Sequence, residues 1–336
     1  MNLALLQAEM TSREVDLEMT HHEFRIDFVA VNISDDPDRP EYVPLPDPAR
    51  YEYVNGKGGE GFIDRLDPRR LFITMKAIAD LIERASVMTV QDIRPLIEDS
   101  DAYIAGRTDE IRRGIEQGHV DPVLRDATDE ERRQDVANKT KFVVMSLDLI
   151  GSTKLSQAVD GETYANLIAT YSSEVAKMCY RFHGRPLKFM GDGALLYFPI
   201  GSLARRHDMA MDCALSLRDL ILQGFNPVLT STGLPELACR IGADSGEAYV
   251  RTIGDCATTN HVDIVGELVN IATKIEKAAP ANGIAVGESI VINTHTMWMR
   301  HMKPFELPAE WPYRNRESQE PYPIYVLDIS ANRADE

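Results

Sequence analysis

Cysteine is scarce: four residues in a chain of 336, Cys179, Cys213, Cys239 and Cys256, with no CxxC pair and no Cys/His cluster. That spacing excludes a thiolate zinc site and offers no disulfide framework, so reduced thiols are expected. Long apolar runs are missing as well. Nowhere do about 18 apolar residues stand together, and the first residues carry acids instead of a basic stretch followed by an apolar one, which argues against a membrane span and a secretory signal. A soluble cytoplasmic protein is expected. Positive charge is in deficit, with 36 Lys and Arg against 53 Asp and Glu for a net −17. Such a chain lacks the broad basic footprint that nucleic acid or an anionic membrane requires, although a local basic pocket stays open. In the N-terminal region, low-complexity tracts and internal repeats are absent too.

What is present is an ordinary globular composition, 44% hydrophobic and 26% charged, in a chain long enough for two domains. From His22 to Ile33 apolar residues alternate with polar ones, the mark of a half-buried strand. A Pro- and Asp-rich stretch follows to Arg50. Tyr51 to Leu66 reads as a hairpin around Asn55-Gly56-Lys57-Gly58-Gly59, a turn that lacks the GxxxxGK[ST] spacing of a phosphate loop. Leu71, Met75, Ile78, Ala79 and Ile82 predict an amphipathic helix over Arg69 to Ala85, and two more helices are expected at Val90 to Ile97 and Ala102 to Gln117. Between Asp121 and Thr140 the chain turns polar and charge-rich, then abruptly apolar at Phe142. The reading is therefore an N-terminal region 1–138 of unreadable role, a domain 139–330 and a tail 331–336.

Chemistry concentrates after that boundary. KFVVMSLDLI, Lys141 to Ile150, is an apolar strand interrupted by Asp148, and Gly151-Ser152-Thr153 then opens a helical pattern. A carboxylate at a buried strand end binds a cation or caps the following helix, and this segment alone leaves both readings open. LKFMGDGALLYF, Leu187 to Phe198, is a hairpin with Asp192 at its tip between two glycines that permit the tight turn.

Taken together, the Asp148-x-x-Gly-Ser-Thr and Lys188-x-x-Gly-Asp-Gly segments resemble class III adenylate and guanylate cyclases. RIGADSG, Arg240 to Gly246, resembles the family's R-I-G-I-H-x-G strand. DIVGELVNIATKI, Asp263 to Ile275, resembles its D-x-x-G-x-x-V-N-x-A-x-R helix entry, and EPYPIYVL, Glu320 to Leu327, looks like its closing strand. The resemblance implies an α+β fold: a ferredoxin-like βαββαβ class III cyclase catalytic domain, helices covering one face of a mostly antiparallel sheet, beside a smaller mixed α/β N-terminal region. It also implies conversion of a nucleoside triphosphate to a 3′,5′-cyclic nucleotide and pyrophosphate, with two Mg²⁺ or Mn²⁺ ions per active site held by Asp148, Asp192 and the carbonyl of Leu149. Oxygen ligands suit these hard cations. The amides of Gly151, Ser152 and Thr153 are expected to receive the triphosphate at a helix start. Asn270 and Lys274, four apart on one helix face, are expected to act at the ribose and α-phosphate, and Lys188 and Asp263 to read the base. Because these last four come from the subunit opposite the metals, the resemblance implies a homodimer with composite active sites.

The chain departs from the family pattern at several points. Lys274 stands where the family has a transition-state arginine, keeping a cation but losing the planar fork. Asp244 replaces a frequent histidine and Glu247 stands at a phosphate-binding arginine's place, so the pocket's charge balance is open, with Arg240, Arg251, Arg314 and Arg316 as candidate compensating cations. Lys188 and Asp263 match the adenine-reading pair, which disfavours GTP. A donor beside an acceptor also fits cytosine, while uracil offers an O4 acceptor and an N3 donor. The expectation leans to a pyrimidine cyclase making cUMP or cCMP, resembling those of Pycsar antiphage systems that signal to a separate cyclic-nucleotide-responsive effector. Adenylate cyclase is the alternative, and an inactive cyclase-homology dimerisation or nucleotide-sensing module is a third.

Overall fold

The computed structural model describes residues 28–32, 42–56, 59–66, 72–78, 97, 99–118, 139–199, 206–253, 261–315 and 318–328. The chain divides into two compact units, Met1–Asp92 and Ile93–Glu336.

In the first unit, β1 (Phe28–Asn32) pairs antiparallel with β2 (Tyr42–Pro46). The expected hairpin is β3 (Tyr51–Gly56) and β4 (Gly59–Asp64), in register from Tyr51↔Asp64 to Gly56↔Gly59. Arg50 and Asp64 close its base as a buried ion pair, Nε and Nη2 donating to Oδ2 at 2.8 and 2.6 Å. The helix expected over Arg69 to Ala85 is corrected in its first turn. Phe72–Thr74 is a strand, β5, paired with β4, and 75–78 is helical, while 79–85 lies outside the described residues. An available sheet edge outweighs local helical periodicity here, burying Ile73 and Ile78 against Tyr51 and Phe62 and leaving Met75 exposed. The helix expected at Val90 to Ile97 and the polar stretch before Lys139 also fall outside the described residues, save Ile97, the first residue described in the second unit.

The second unit begins, in described structure, with α1 (Ser100–Gln117). Asp99 caps its start by accepting from the Ala102 amide, and Gly118 ends it in the left-handed region. Then come β6 (Lys139–Ile150), α2 (Ser152–Ala158), α3 (Gly161–Arg181), β7 (Arg185–Met190), β8 (Gly193–Pro199) and α4 (Arg206–Asp219). α4 runs through a wider π-helical turn, Leu220–Phe225, into α5 (Asn226–Ser231), followed by β9 (Ala238–Ile253), β10 (His261–Val265) and α6 (Glu267–Ala278). β11 (Gly283–Gly287), α7 (Glu288–Asn293), α8 (Thr296–Met299), β12 (Met302–Pro304) and β13 (Ile324–Leu327) complete it. Although α1 precedes the boundary expected at 138/139, it packs within this unit. Arg107 makes a bidentate pair with Glu174 of α3 at 2.8 and 2.9 Å, and Ile104, Ile111 and Ile115 join the main core.

The sheet order is β12-β13-β11-β9-β6-β8-β7. Its βαββαβ heart is β6-α3-β7-β8-α4-β9, lying side by side as β9-β6-β8-β7 with every neighbour antiparallel; β11 adds to β9 in parallel. Both faces of β6 are buried, which accounts for its nearly unbroken apolar sequence. Val143, Met145, Leu147 and Leu149 meet the core shared with α1, α3 and α4, while Phe142 and Val144 face the other way. On that second face lie Val250 of β9, Ile264 of β10, and Leu268 and Ala272 of α6. The expectation of helices on one face alone is therefore corrected: α6 covers the opposite face. Its mixed sequence carries one apolar stripe, and that stripe needed a sheet to cover.

Candidate active site

Asp148 stands two residues from the end of β6, in register with Gly193 on one side and Arg240 on the other. Even-numbered residues of β6 face α6, so the carboxylate emerges on that face, a third exposed. Its Oδ2 accepts from Arg240 Nη2 at 3.1 Å. Its Oδ1 turns toward Gly193, 3.7 Å from where a β-carbon of that residue would stand. Gly193 begins β8 immediately after Asp192, and the hairpin tip turns through Gly191 at φ +68°, a conformation glycine adopts without strain. Register and turn thus bring the two sequence-expected carboxylates to one edge of the sheet. The Ser152 hydroxyl donates to Asp192 Oδ2 and ties the tip to the turn after β6. Tyr171 of α3 lies beneath: its hydroxyl is buried without a hydrogen-bond partner. Burial first, then the charges of Cys239, Asp148 and Asp192, push its pKa well up.

Gly151 opens α2 at φ +98°, and no side chain caps the helix, so the first amides keep their donors for another partner. Thr153 is exposed, whereas Ser152 is buried and its hydroxyl committed to Asp192. Leu149 has its side chain in the core and only its backbone to offer at the site.

Lys188 and Asp263 meet. Lys188 Nζ lies 2.8 Å from Asp263 Oδ2, with the lysine 39% exposed and the aspartate 16%, so donor and acceptor remain reachable from solvent. Asp263 Oδ1 accepts from the Ile264 amide, which fixes the carboxylate at the strand. Among the described residues, Asn270 and Lys274 make no hydrogen bond or ion pair with Asp148. Leu268, Ala272, Ile275 and Glu276 form the buried side of α6, and Asn270 and Lys274 project from its exposed side.

The departures resolve by burial. Asp244 is 2% exposed, held by the Tyr322 hydroxyl donating to Oδ1 at 3.0 Å, with Tyr322 also bonded to Ser289. Desolvation pushes it up to about 7. It is a packed link between β9 and the segment that leads into β13. Glu247 is exposed. Of the candidate cations, Arg240 is engaged with Asp148, Arg251 stacks over Tyr249 at 4.9 Å, and Arg314 donates to the Gln319 carbonyl. Arg316 lies outside the described residues.

Sequence reasoning missed Glu276. This α6 carboxylate is 3% exposed, lies 3.5 Å from Arg240 Nε, and is raised to about 7, chiefly by burial and then by the charge of Asp148. No motif marks it; only its position two residues after Lys274, on the buried side of the helix, carries a signal.

Two carboxylates at one sheet edge are hard oxygen donors that fit Mg²⁺ or Mn²⁺, ions commonly held by one or two carboxylates together with substrate phosphates. No group of three or more His, Cys, Asp or Glu suited to a metal occurs among the described residues. An ion here would therefore complete its shell with phosphate or water oxygens. Among the described residues no helix is long and apolar enough to cross a membrane.

The adenylate and guanylate cyclase catalytic domain model matches residues 135–320. Adenylate cyclase 1 of Rhizobium meliloti is 27% identical over 167 residues, 49% of this chain and 23% of that protein. The cytidylate cyclase of Escherichia coli is 26% identical over 255 residues, 72% of this chain and 50% of that protein. The chain thus spans a half or less of the length of these relatives. Among solved structures, the adenylyl cyclase CyaB from P. aeruginosa aligns with a TM-score of 0.48 at 21% identity, over 56% of this chain and 94% of that one.

Proposed function

Since this chain belongs to the adenylate and guanylate cyclase catalytic-domain family, we propose that it is an active pyrimidine cyclase that converts CTP to 3′,5′-cyclic CMP and pyrophosphate. The observation that carries activity is the convergence of Asp148 and Asp192 at one sheet edge while Lys188 and Asp263 present a donor beside an acceptor. Two divalent ions bound at the carboxylates would acidify the ribose 3′-hydroxyl and neutralise the triphosphate. The chain's own part is positioning. Asp148 and Asp192 would hold the ions against the α-phosphate region, and the uncapped amides at Gly151, Ser152 and Thr153 receive phosphate oxygens. Asn270 orients the ribose, and Lys274 places a positive charge where the α-phosphoryl group gains negative charge.

These groups serve one nucleotide only across two copies. On α6, Asn270 and Lys274 lie on the side away from the buried stripe, which supports their being supplied by a second chain. Met190, Val265 and Tyr249, at 52%, 47% and 42% exposure, are large apolar groups that such a partner would cover.

For the base, Lys188 donates to cytosine N3 and Asp263 accepts from its N4 amine. Similarity to the Escherichia coli cytidylate cyclase extends over 255 residues, beyond the 186 between 135 and 320 that the family model matches. That longer similarity favours cytidine over uridine. A cyclic pyrimidine would act through a separate effector, and an antiviral role rests on this same reading. Adenine presents the same acceptor and donor, and the similarity to Rhizobium meliloti adenylate cyclase 1 favours cAMP as the second reading.

The test is incubation of purified protein with Mn²⁺ and each of ATP, GTP, CTP and UTP separately, with products identified by mass. Cyclic CMP is the expected product. Cyclic UMP would move the reading within the pyrimidines, cAMP alone would replace it, and no product from any nucleotide would leave the inactive-module alternative.

A further inference from the structure

Arg240 has no part in the scheme above, yet its guanidinium sits at the junction of the strand bearing Asp148 and the helix bearing Asn270 and Lys274. Nη2 donates to Asp148 Oδ2 at 3.1 Å, and Nη1 reaches the Lys277 carbonyl of α6 at 3.5 Å. Nε faces Glu276 Oε1, also at 3.5 Å. These last two atoms are buried, and neither has a hydrogen bond among the described residues. Such a pair is costly unless it acts as an ion pair, or closes when the guanidinium shifts by a few tenths of an ångström. Beneath them α6 lies directly on β9: a β-carbon on Gly242 would stand 2.0 Å from the Glu276 amide nitrogen. The helix end therefore has no freedom to drift from the strand.

From this geometry we infer that Arg240 is a positioning residue: it holds Asp148 by Oδ2 so that Oδ1 stays turned toward Gly193 and the Asp192 tip, and anchors that carboxylate to the last turn of α6. Glu276 is the second carboxylate that keeps the guanidinium in place when a cation draws on Asp148. Within a dimer, the helix and the strand of one chain serve different composite sites, so a single guanidinium links the metal half of one to the ribose half of the other. The inference rests on the reading of Asp148 as a metal ligand.

Arg240→Lys keeps the charge and removes the fork, which separates positioning from electrostatics. The measurement is Mn²⁺ affinity of the full-length protein without nucleotide, followed by the resonance of free Mn²⁺, with thermal unfolding recorded in parallel. Arg240→Lys is expected to bind Mn²⁺ about 10- to 100-fold more weakly, as partners of metal ligands do. Glu276→Gln is expected to weaken binding in the same direction, and the double variant to lose less affinity than the sum of the two single losses. Unchanged or tighter Mn²⁺ binding by Arg240→Lys overturns the inference, including when its unfolding temperature drops, because a purely structural role would move stability alone. If Arg240→Lys does not fold, Glu276→Gln decides by the same criterion. A parent protein that binds no Mn²⁺, or an Asp148→Asn variant that binds it normally, also overturns the inference. Product formation from the four nucleotides judges the cyclase reading independently.

Discussion

At the scale of single residues, the site divides into groups that sequence marks by type and groups that only burial reveals. Asp148 and Asp192 were legible through two segments in combination, Asp148-x-x-Gly-Ser-Thr and Lys188-x-x-Gly-Asp-Gly, since neither acid alone decides its role. Asp148→Asn is expected to lower turnover by more than about 100-fold, beyond the loss typical of a group that merely supports a ligand, in a product assay with Mn²⁺. Lys274 lies exposed on α6, and Lys274→Ala is expected to lower kcat by about 100-fold with little change in KM, because its charge is needed as negative charge develops. Lys274→Arg, restoring the fork, is expected to raise kcat. Asp244 behaves differently. Burial raises it to about 7, above the ordinary carboxylate value it takes in the unfolded chain, so the folded state retains a proton the unfolded state has lost. Its contribution is full below about pH 4, declines as pH rises toward 7 and stays low above that. Asp244→Asn keeps an oxygen acceptor for the Tyr322 hydroxyl and removes the charge. Unfolding temperature measured from pH 5 to 8 is expected to fall less steeply in this variant, and to be higher at pH 8. Glu276, also raised to about 7 by burial, contributes to the slope that remains.

Among the elements, α6 connects sequence pattern to function most directly. Its buried stripe at Leu268, Ala272 and Ile275 sets which side meets the sheet, and the same 3.6-residue period turns Asn270 and Lys274 outward. That much follows from spacing. Which surface the stripe would cover did not, because an amphipathic helix records that it has a partner and not which one. Gly242 makes the contact possible. Gly242→Ala would place a carbon 2.4 Å from the Glu276 Cα, and is expected to lower stability by about 3 kcal/mol through overpacking, read as a drop in unfolding temperature of several degrees. The helix expected over Arg69 to Ala85 failed at its start for a related reason. Phe72–Thr74 satisfies backbone hydrogen bonds on the edge of β4, an option invisible to local periodicity.

For the whole molecule, composite sites make a quantitative demand. Mixing Asp148→Asn chains with Lys274→Ala chains should yield heterodimers in which one site is doubly damaged and the other intact. Activity recovered after exchange at equal concentrations is expected to approach about a quarter of the parent's, since half the dimers are mixed and each has one working site. No recovery, with exchange verified, would rule out sites shared between chains. The sequence by itself determined the acid in the apolar strand, the acid at the hairpin tip and the shared helix face of Asn270 and Lys274, which depend on residue type and local period; the βαββαβ order and the pairing of Lys188 with Asp263 came through the resemblance to cyclases. Only the tertiary structure decided that α6 lies on the second face of the sheet, that Asp244 is sealed beneath Tyr322, and that α1 packs with the C-terminal unit. It alone placed Arg240 between Asp148 and Glu276. These depend on contacts between residues tens of positions apart, whose free energy comes from burial and mutual desolvation, quantities that no short stretch of sequence contains.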